Sequence, residues 1–156
     1  MTTSANLVMR ARDAGLMLTT AESCTGGLLA AAITDAAGAS DIYDRGIITY
    51  SNAAKKEMLG VSQTTLDSHG AVSEETAREM AEGALSGSNA DIGIAITGVA
   101  GPGGSDAKPE GLVCFALARH GADTVSETLE FGTLGRENVR RASVDHAMDM
   151  LGKAVG

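Results

Sequence analysis

The sequence contains no tryptophan, only two phenylalanines, two tyrosines and two prolines among its 156 residues. Because aromatic residues make up just 3% of the chain, its core has to be built from Ala, Val, Ile, Leu and Met. Hydrophobic residues still account for 44%, and this length is sufficient for one domain with a substantial core. We therefore expect a single domain that spans residues 1–156.

Basic residues are also scarce, with 12 Lys and Arg against 20 Asp and Glu and a formal net charge of -8. Nucleic-acid-binding proteins need clustered basic residues, so we expect no nucleic-acid partner. No apolar run approaches the roughly 20 residues that span a bilayer, and the N-terminus lacks signal-peptide features, so we expect no membrane partner. Cys24, Cys114 and three isolated histidines match no metal or haem spacing, which predicts no metal site and a cytoplasmic location.

Hydrophobic periodicity predicts alternating helices and strands. The predicted helices cover residues 4–14, 28–37, 53–59, 74–85 and 136–153, and the predicted strands cover residues 16–20, 46–50, 91–97, 112–119 and 124–131. Residues 120–123 separate the last two strands in the manner of an antiparallel hairpin. This combination predicts an α/β fold: a single layered domain whose mixed β-sheet carries helices on both faces and includes one antiparallel hairpin.

The first chemically informative segment joins the first strand to an apolar helix and consists of Glu22, Ser23, Cys24, Thr25, Gly26 and Gly27. Free N–H groups at a helix start can stabilise an oxyanion, and glycines let a substrate approach the backbone. Three alternatives are open: Ser23 or Thr25 only caps the helix, the turn binds an anion without reaction, or Cys24 is the nucleophile. Ser23 is the better candidate, because nothing in the sequence ties a histidine to Cys24.

A serine nucleophile needs a base, and residues 50–55 supply lysine at a strand end and helix start. Spacing does not separate Lys55 from Lys56, and a solvated helix face is the ordinary environment of either. A lysine base must be neutral, and lowering its pKa to near 7.5 means disfavouring the charge by about 4 kcal/mol, which burial can achieve. Since a nearby carboxylate would stabilise the charged form, Glu22 is more consistent with a contact to substrate or to backbone amides.

A glycine-rich loop, residues 97–104, follows the predicted buried strand at 91–97. Such a loop can present backbone N–H groups to a phosphate or carboxamide, although an ordinary tight turn explains it equally well. It matches neither the Walker A nor the dinucleotide pattern, which argues against ATP hydrolysis and NAD-dependent hydride transfer. Arg136 and Arg140, four residues apart, can grip a phosphate or simply form surface ion pairs.

Together, these segments resemble the CinA C-terminal domain family, whose characterised members are nicotinamide-nucleotide amidases. The matching stretches are residues 21–27, 50–52 with Lys55, 69–74, 97–104, 108–109 with Gly111, and the pair Arg136 and Arg140. The resemblance extends from about residue 5 to 153. It implies hydrolysis of nicotinamide mononucleotide to nicotinate mononucleotide and ammonia, without a cofactor or metal. The alternative is a non-catalytic nucleotide-binding or protein-interaction module of the same fold.

The resemblance also implies roles for individual residues. Ser23 matches the nucleophile, Lys55 rather than Lys56 matches the partner lysine, and Tyr50 matches a tyrosine of the same catalytic site. The substrate-binding residues it implies are Glu22, Cys24, Thr25, Gly26, Gly27, Thr97, Gly98, Gly101, Gly103, Gly104 and Arg140. The expected partner is a small-molecule nucleotide substrate, and we expect the protein to be a homo-oligomer.

Overall fold

The computed structural model describes residues 1–105 and 108–156. Its helices are α1 (Ser4–Ala14), α2 (Leu28–Thr34), α3 (Asn52–Leu59), α4 (Gln63–His69), α5 (Glu74–Ser86) and α6 (Arg136–Val155), with a short 3-10 helix at Ala39–Asp41. Its strands are β1 (Leu18–Glu22), β2 (Tyr43–Ile48), β3 (Ile92–Gly98), β4 (Leu112–Arg119) and β5 (Val125–Glu130).

The strands form one sheet in the order β2-β1-β3-β4-β5. Strand β1 is parallel to both β2 and β3, whereas β3–β4 and β4–β5 are antiparallel pairs. The predicted mixed sheet and antiparallel hairpin are therefore confirmed. Because Glu22 pairs with Ile48 on one side and Ile96 on the other, the carboxyl ends of three neighbouring strands meet at one edge.

The two faces of the sheet carry side chains of different size. Large residues of β3 and β4 pack against α1, α2 and α6, and these residues are Ile92, Ile94, Ile96, Val113, Phe115 and Leu117. The alternate positions are small and pack against α3, α4 and α5; they include Ala95, Cys114, Ala116 and Ala118. Helices therefore cover both faces of the sheet, as the succession of predicted strands and helices along the sequence indicated.

The first two strands lie a few residues away from their predicted positions. Strand β1 begins at Leu18 rather than at residue 16, because Gly15 adopts φ 68° and the Leu16 amide still donates to Ala11 O of α1. Strand β2 covers Tyr43–Ile48 rather than 46–50, since its pairing with β1 begins at Tyr43. These shifts leave Tyr50 in the connection that follows β2.

Two helices also differ from the prediction. Helix α2 ends at Thr34 rather than at residue 37, and the Ala36 amide donates to the Ser4 hydroxyl instead of continuing the helix. Helix α4 was not predicted because its sequence is largely polar and has little apolar periodicity. A cap could have revealed it: the Ser62 side chain accepts from the Thr65 amide, and Gly70 follows the last residue.

No helix in the described parts of the chain combines the length and apolar character needed to cross a membrane.

Helices α3 and α5 make a close backbone contact at Gly83. A Cβ atom at this position would lie 2.7 Å from the carbonyl carbon of Leu59 and closer still to its oxygen. Leu59 is the last residue of α3, so the absence of a side chain at Gly83 allows the end of α3 to approach the backbone of α5 closely. Gly152 in α6 differs, because the three atoms nearest to a Cβ atom there all belong to the Thr2 side chain, and the closest of them, Oγ1, can rotate away.

We expect Gly83→Ala to lower the free energy of unfolding by about 1–2 kcal/mol, because overpacking against a backbone outweighs the roughly 1 kcal/mol gained in helix propensity. The matched change Gly152→Ala should leave stability unchanged or raise it by up to about 1 kcal/mol. Urea unfolding of both variants tests this difference. Equal stabilisation by the two changes would show that the α3–α5 contact is not tight.

Candidate active site

A cleft of about 350 Å³ opens where β1, β2 and β3 end. Its walls are formed by Ser23, Cys24, Tyr50, Asn52 and Lys55 on one side, and by Ala71, Val72, Thr97, Gly98, residues 99–105 and Arg136 on the other. Ligand sites of α/β proteins commonly lie at the carboxyl ends of parallel strands. The cleft is therefore where the topology favours a binding site.

Ser23 and Lys55 meet at the floor of this cleft. Ser23 follows β1 directly, and its amide donates to Ile96 O at 3.0 Å, which continues the pairing with β3. Lys55 lies in the first turn of α3, and its Nζ is 2.9 Å from Ser23 Oγ. The same Nζ donates to Thr49 O at 2.9 Å. The two residues that the sequence predicted as nucleophile and base are thus in direct contact.

Lys55 is only 2% exposed, although lysine is normally a surface residue. Burial lowers the pKa of Lys55 below its ordinary value of 10.5, and a charge interaction with Cys24 opposes this change to a smaller extent. Both hydrogen-bond partners of Nζ are uncharged oxygens, so neither holds the amine in its charged form through a salt bridge. A neutral amine can donate to Thr49 O and direct its lone pair at the Ser23 hydroxyl.

Glu22 lies beside Ser23 in the chain, yet its carboxylate is outside the cleft lining. The side chain is 1% exposed and accepts from Thr25 Oγ1 at 2.6 Å and from the amides of Leu29 and Ala30 at 2.9 and 3.0 Å. The sequence suggested that Glu22 contacts either substrate or backbone amides, and the structure shows the contact to backbone amides.

Cys24 lines the cleft but is only 5% exposed. Burial raises the pKa of the Cys24 thiol to about 11, although a backbone hydrogen bond and the charge of Arg140 act in the opposite direction. The thiol is therefore protonated near neutral pH, and a protonated thiol is a poor nucleophile. This environment favours Ser23 over Cys24.

Arg140 supports the Ser23 turn from outside the cleft. Its Nε donates to Cys24 O at 3.0 Å and its Nη2 donates to Thr25 O at 3.3 Å. Gly26 and Gly27 follow in the left-handed region, with φ of 56° and 105°. Among the described residues, no acceptor pairs with the amides of Cys24 and Thr25. The Cys24 amide belongs to a residue of the cleft lining and is available to a ligand there, whereas Thr25 is fully buried outside that lining.

The glycine loop forms the opposite wall. Thr97 Oγ1 donates to Ala71 O at 2.8 Å and so joins the loop to the residues before α5. Gly98 packs against Val113, and the Gly103 amide donates to the Glu110 carboxylate at 2.7 Å. In the part of the chain that the structure describes, three loop amides have no acceptor: those of Ala100, Gly101 and Gly104. This wall can therefore bind an anionic or carbonyl group.

Tyr50 and Arg136 lie together at the mouth of the cleft. Tyr50 is 60% exposed, and its hydroxyl accepts from Arg136 Nη2 at 2.7 Å. Arg136 Nη1 donates to Gly101 O at 2.8 Å, so this side chain bridges the two walls. Within residues 1–105 and 108–156, Tyr50 makes no hydrogen bond to Ser23 or Lys55.

The sequence-predicted residues thus divide into two groups. Those that line the cleft are Ser23, Cys24, Tyr50, Lys55, Thr97, Gly98, Gly101, Gly103 and Gly104, and those outside its lining are Glu22, Thr25, Gly26, Gly27 and Arg140. Residue selection from the sequence missed several lining residues, namely Asn52, Ala71, Val72, Val99, Ala100, Pro102 and Ser105. All of these except Ser105 lie in stretches that carried the family resemblance. Of the two arginines, Arg136 reaches the cleft.

Among the described residues, no three His, Cys, Asp or Glu side chains are grouped closely enough to hold a metal ion.

Comparisons with known proteins identify relatives over most of the chain. A nicotinamide-nucleotide amidohydrolase, PncC, from Enterobacter agglomerans is 51% identical over 81% of this chain and 77% of its own length. A CinA-like protein from Shewanella pealeana is 48% identical over 89% of this chain and 33% of its own length. The chain spans about a third of the length of several other relatives as well, with 33% and 34% covered in two of them.

Solved structures match equally well. The competence/damage inducible protein CihA from Agrobacterium tumefaciens superimposes with a TM-score of 0.93 at 46% identity, covering 97% of this chain and 92% of that one. The family model of the CinA C-terminal domain matches residues 1–155. The chain therefore belongs to the CinA C-terminal domain family, as its motifs indicated.

Proposed function

We propose that this chain is an amidohydrolase that converts nicotinamide mononucleotide to nicotinate mononucleotide and ammonia, with Ser23 as nucleophile and Lys55 as general base. The observation that carries this proposal is the buried Lys55 amine, 2.9 Å from Ser23 Oγ. The name of the Enterobacter agglomerans relative supports this choice of substrate. A small-molecule nucleotide is accordingly the proposed partner, and the proposed reaction uses no cofactor.

The reaction begins with acyl transfer to the serine. The neutral Lys55 amine takes the proton of Ser23 as Oγ attacks the carboxamide carbon. Lys55 then returns this proton to the departing nitrogen, which leaves as ammonia, and a nicotinoyl ester remains on Ser23. Water attacks that ester while Lys55 accepts its proton, and the proton passes to Ser23 Oγ as the nicotinate product leaves. No proton remains on the enzyme at the end of the cycle.

The tetrahedral intermediates need donors for their negative oxygen. The amides of Cys24 and Thr25 have no acceptor among the described residues, and because Cys24 lines the cleft while Thr25 does not, we assign this role to the Cys24 amide. One such donor typically contributes about 3 kcal/mol to transition-state stabilisation. Arg140 binds the carbonyl oxygens of the same two residues and so fixes the orientation of the turn.

The phosphate of the substrate needs positive or N–H-rich surroundings in a protein whose net charge is -8. We assign to it Arg136 and the amides of Ala100, Gly101 and Gly104, which have no acceptor among the described residues. The guanidinium now binds only neutral acceptors, Gly101 O and the Tyr50 hydroxyl, and a phosphate can replace either one. In this arrangement Tyr50 contacts the phosphate site rather than the proton-transfer pair.

Two alternatives are less well supported. A cysteine amidase is disfavoured by the burial that raises the pKa of Cys24 to about 11. A non-catalytic nucleotide-binding or protein-interaction module would not need a lysine amine buried against a serine hydroxyl, an arrangement that is unfavourable for folding and typical of catalytic sites. The cytoplasmic location and the homo-oligomeric state remain proposals that accompany the first function.

We expect Ser23→Ala to reduce ammonia release from nicotinamide mononucleotide by about 10³-fold or more, because no other hydroxyl replaces the nucleophile. The matched control is Ser86→Ala, which removes an exposed hydroxyl that contacts only Gly83 O on α5 and should keep full activity. Undiminished ammonia release by Ser23→Ala would refute the nucleophile. Loss of activity in a folded Cys24→Ser variant would favour the cysteine instead.

We expect kcat/KM to rise with pH, with an apparent pKa below 10.5, because the active form of Lys55 is neutral and burial favours that form. Activity therefore falls as the pH is lowered through this pKa. Lys55→Arg should be inactive at every pH, since the guanidinium stays charged. The control Lys56→Arg, at an exposed residue that contacts Gln63, should match the unmodified protein. A flat profile from about pH 6 to 10 would contradict a lysine base.

We expect Arg136→Ala to raise KM for nicotinamide mononucleotide by about 10- to 100-fold with a smaller effect on kcat, because a charge-assisted contact to the phosphate is lost. Nicotinamide riboside, which lacks the phosphate, should be used equally poorly by both proteins. Arg141→Ala is the control, since Arg141 lies on the same helix and pairs only with Glu137. An unchanged KM in Arg136→Ala would remove Arg136 from the phosphate site.

A further inference from the structure

The Glu22 carboxylate is buried beneath the turn that holds Ser23 and takes no part in the chemistry proposed above. All three of its hydrogen bonds go to residues that follow the nucleophile, namely the Thr25 hydroxyl and the amides of Leu29 and Ala30. Since Glu22 is the last residue of β1, its side chain joins the end of the strand to the start of α2. The Glu22 carboxylate therefore binds both the middle of the intervening turn, residues 23–27, and the first residues of the helix that follows it.

We propose that Glu22 is a positioning residue that acts through the Thr25 hydroxyl to hold Ser23 Oγ and the Cys24 amide in their reactive geometry. This inference rests on the proposed function of Ser23. The turn contains Gly26 and Gly27, which have few steric restrictions on their backbone angles. A turn with two such residues needs an external constraint to keep a nucleophile in place, and small displacements of reacting groups are costly to rate.

Helix capping alone does not account for this arrangement. Gly27 at the N-cap of α2 has no capping side chain, and the bonds from Leu29 and Ala30 to Glu22 satisfy two amides that would otherwise lack partners. The Thr25 hydroxyl is different, because it lies within the turn and belongs to no helix. Thr25 is fully buried, and its Oγ1 is 2.6 Å from Glu22 Oε1. This contact can be removed without removing the cap.

Glu22 could instead act on the general base through its charge, and this electrostatic role predicts a different pH dependence from a positioning role. Burial and Cys24 are the causes that act on the pKa of Lys55, and Glu22 is not among them. If Glu22 only positions the turn, its removal lowers the rate at every pH and leaves the shape of the pH profile unchanged. An electrostatic role would move the profile along the pH axis.

The experiment measures how fast Ser23 reacts with an alkyl fluorophosphonate, a probe that does not depend on the identity of the amide substrate. In this reaction Ser23 Oγ bonds to phosphorus, fluoride leaves, and Lys55 takes the hydroxyl proton. We expect Thr25→Val and Glu22→Gln to be labelled about 10- to 100-fold more slowly than the unmodified protein, with an unchanged pH profile. Thr25→Ser should regain most of the rate because it keeps the hydroxyl.

The matched control is Thr34→Val, which removes an exposed hydroxyl from the far end of the same helix, where it contacts Ala30 O and Ala31 O. This control should be labelled at the normal rate. Thermal unfolding of each variant shows whether it is folded at the assay temperature, and Thr25→Val decides the question if Glu22→Gln does not fold.

The outcomes separate this inference from the proposed function. Normal labelling of folded Thr25→Val overturns the positioning role, while the Ser23 nucleophile stands. A pH profile that shifts in Glu22→Gln overturns it in favour of an electrostatic role. If the unmodified protein is not labelled at Ser23, the proposed nucleophile fails and the positioning role fails with it.

Discussion

The contact between the Lys55 amine and the Ser23 hydroxyl is the interaction on which the rest of the site depends. A lysine that is 2% exposed loses most of its hydration, which disfavours the charged form unless a carboxylate lies nearby. Here the amine has two uncharged oxygen partners, Ser23 Oγ and Thr49 O. The fold therefore holds the amine where its neutral form is favoured and where, within the described residues, the one hydroxyl that it contacts belongs to the candidate nucleophile.

The parallel pairing of β1 and β2 brings these two residues together across 32 positions of sequence. The pairing continues past the last residue of β2, because the Thr49 amide donates to Glu22 O at 2.8 Å. This bond aligns Thr49 with the end of β1. As a result, the Thr49 carbonyl and Ser23, the residue after Glu22, both lie beside the Lys55 amine. Ser51 then caps α3 through the Ala54 amide, so the first turn of the helix points Lys55 back toward the strand ends.

Much of the fold could be predicted because its signals are local. The alternation of Ile92, Ile94 and Ile96 with smaller residues identifies a strand buried on both faces, and the glycine after α1 marks where that helix ends. The pairing register of β2 is not local, which explains its displaced boundaries. Helix α4 could not be predicted from periodicity because caps and tertiary packing, rather than an apolar stripe, define it.

The segments that form the site could be predicted from the sequence, but the directions of some of its side chains could not. Strand-to-helix turns with a serine, a lysine and glycines are visible in sequence, whereas the direction of a side chain at the end of a fully buried strand is not. Every residue of β1 is buried, so alternation does not indicate whether Glu22 faces the cleft or the helix. Likewise, Arg136 and Arg140 are one turn apart on α6, and only the packing of that helix decides which of them reaches the cleft.

The buried Glu22 carboxylate lies beneath a turn that is proposed to stabilise a negatively charged oxyanion. The two negative charges would repel each other, and the contacts around the carboxylate reduce this repulsion. The hydroxyl and amide donors that bind Glu22 point their positive ends at the carboxylate and so stabilise its charge. On the opposite side, Arg140 donates to the carbonyls of Cys24 and Thr25. The carboxylate and the guanidinium thus bind different parts of the turn, and neither residue lines the cleft.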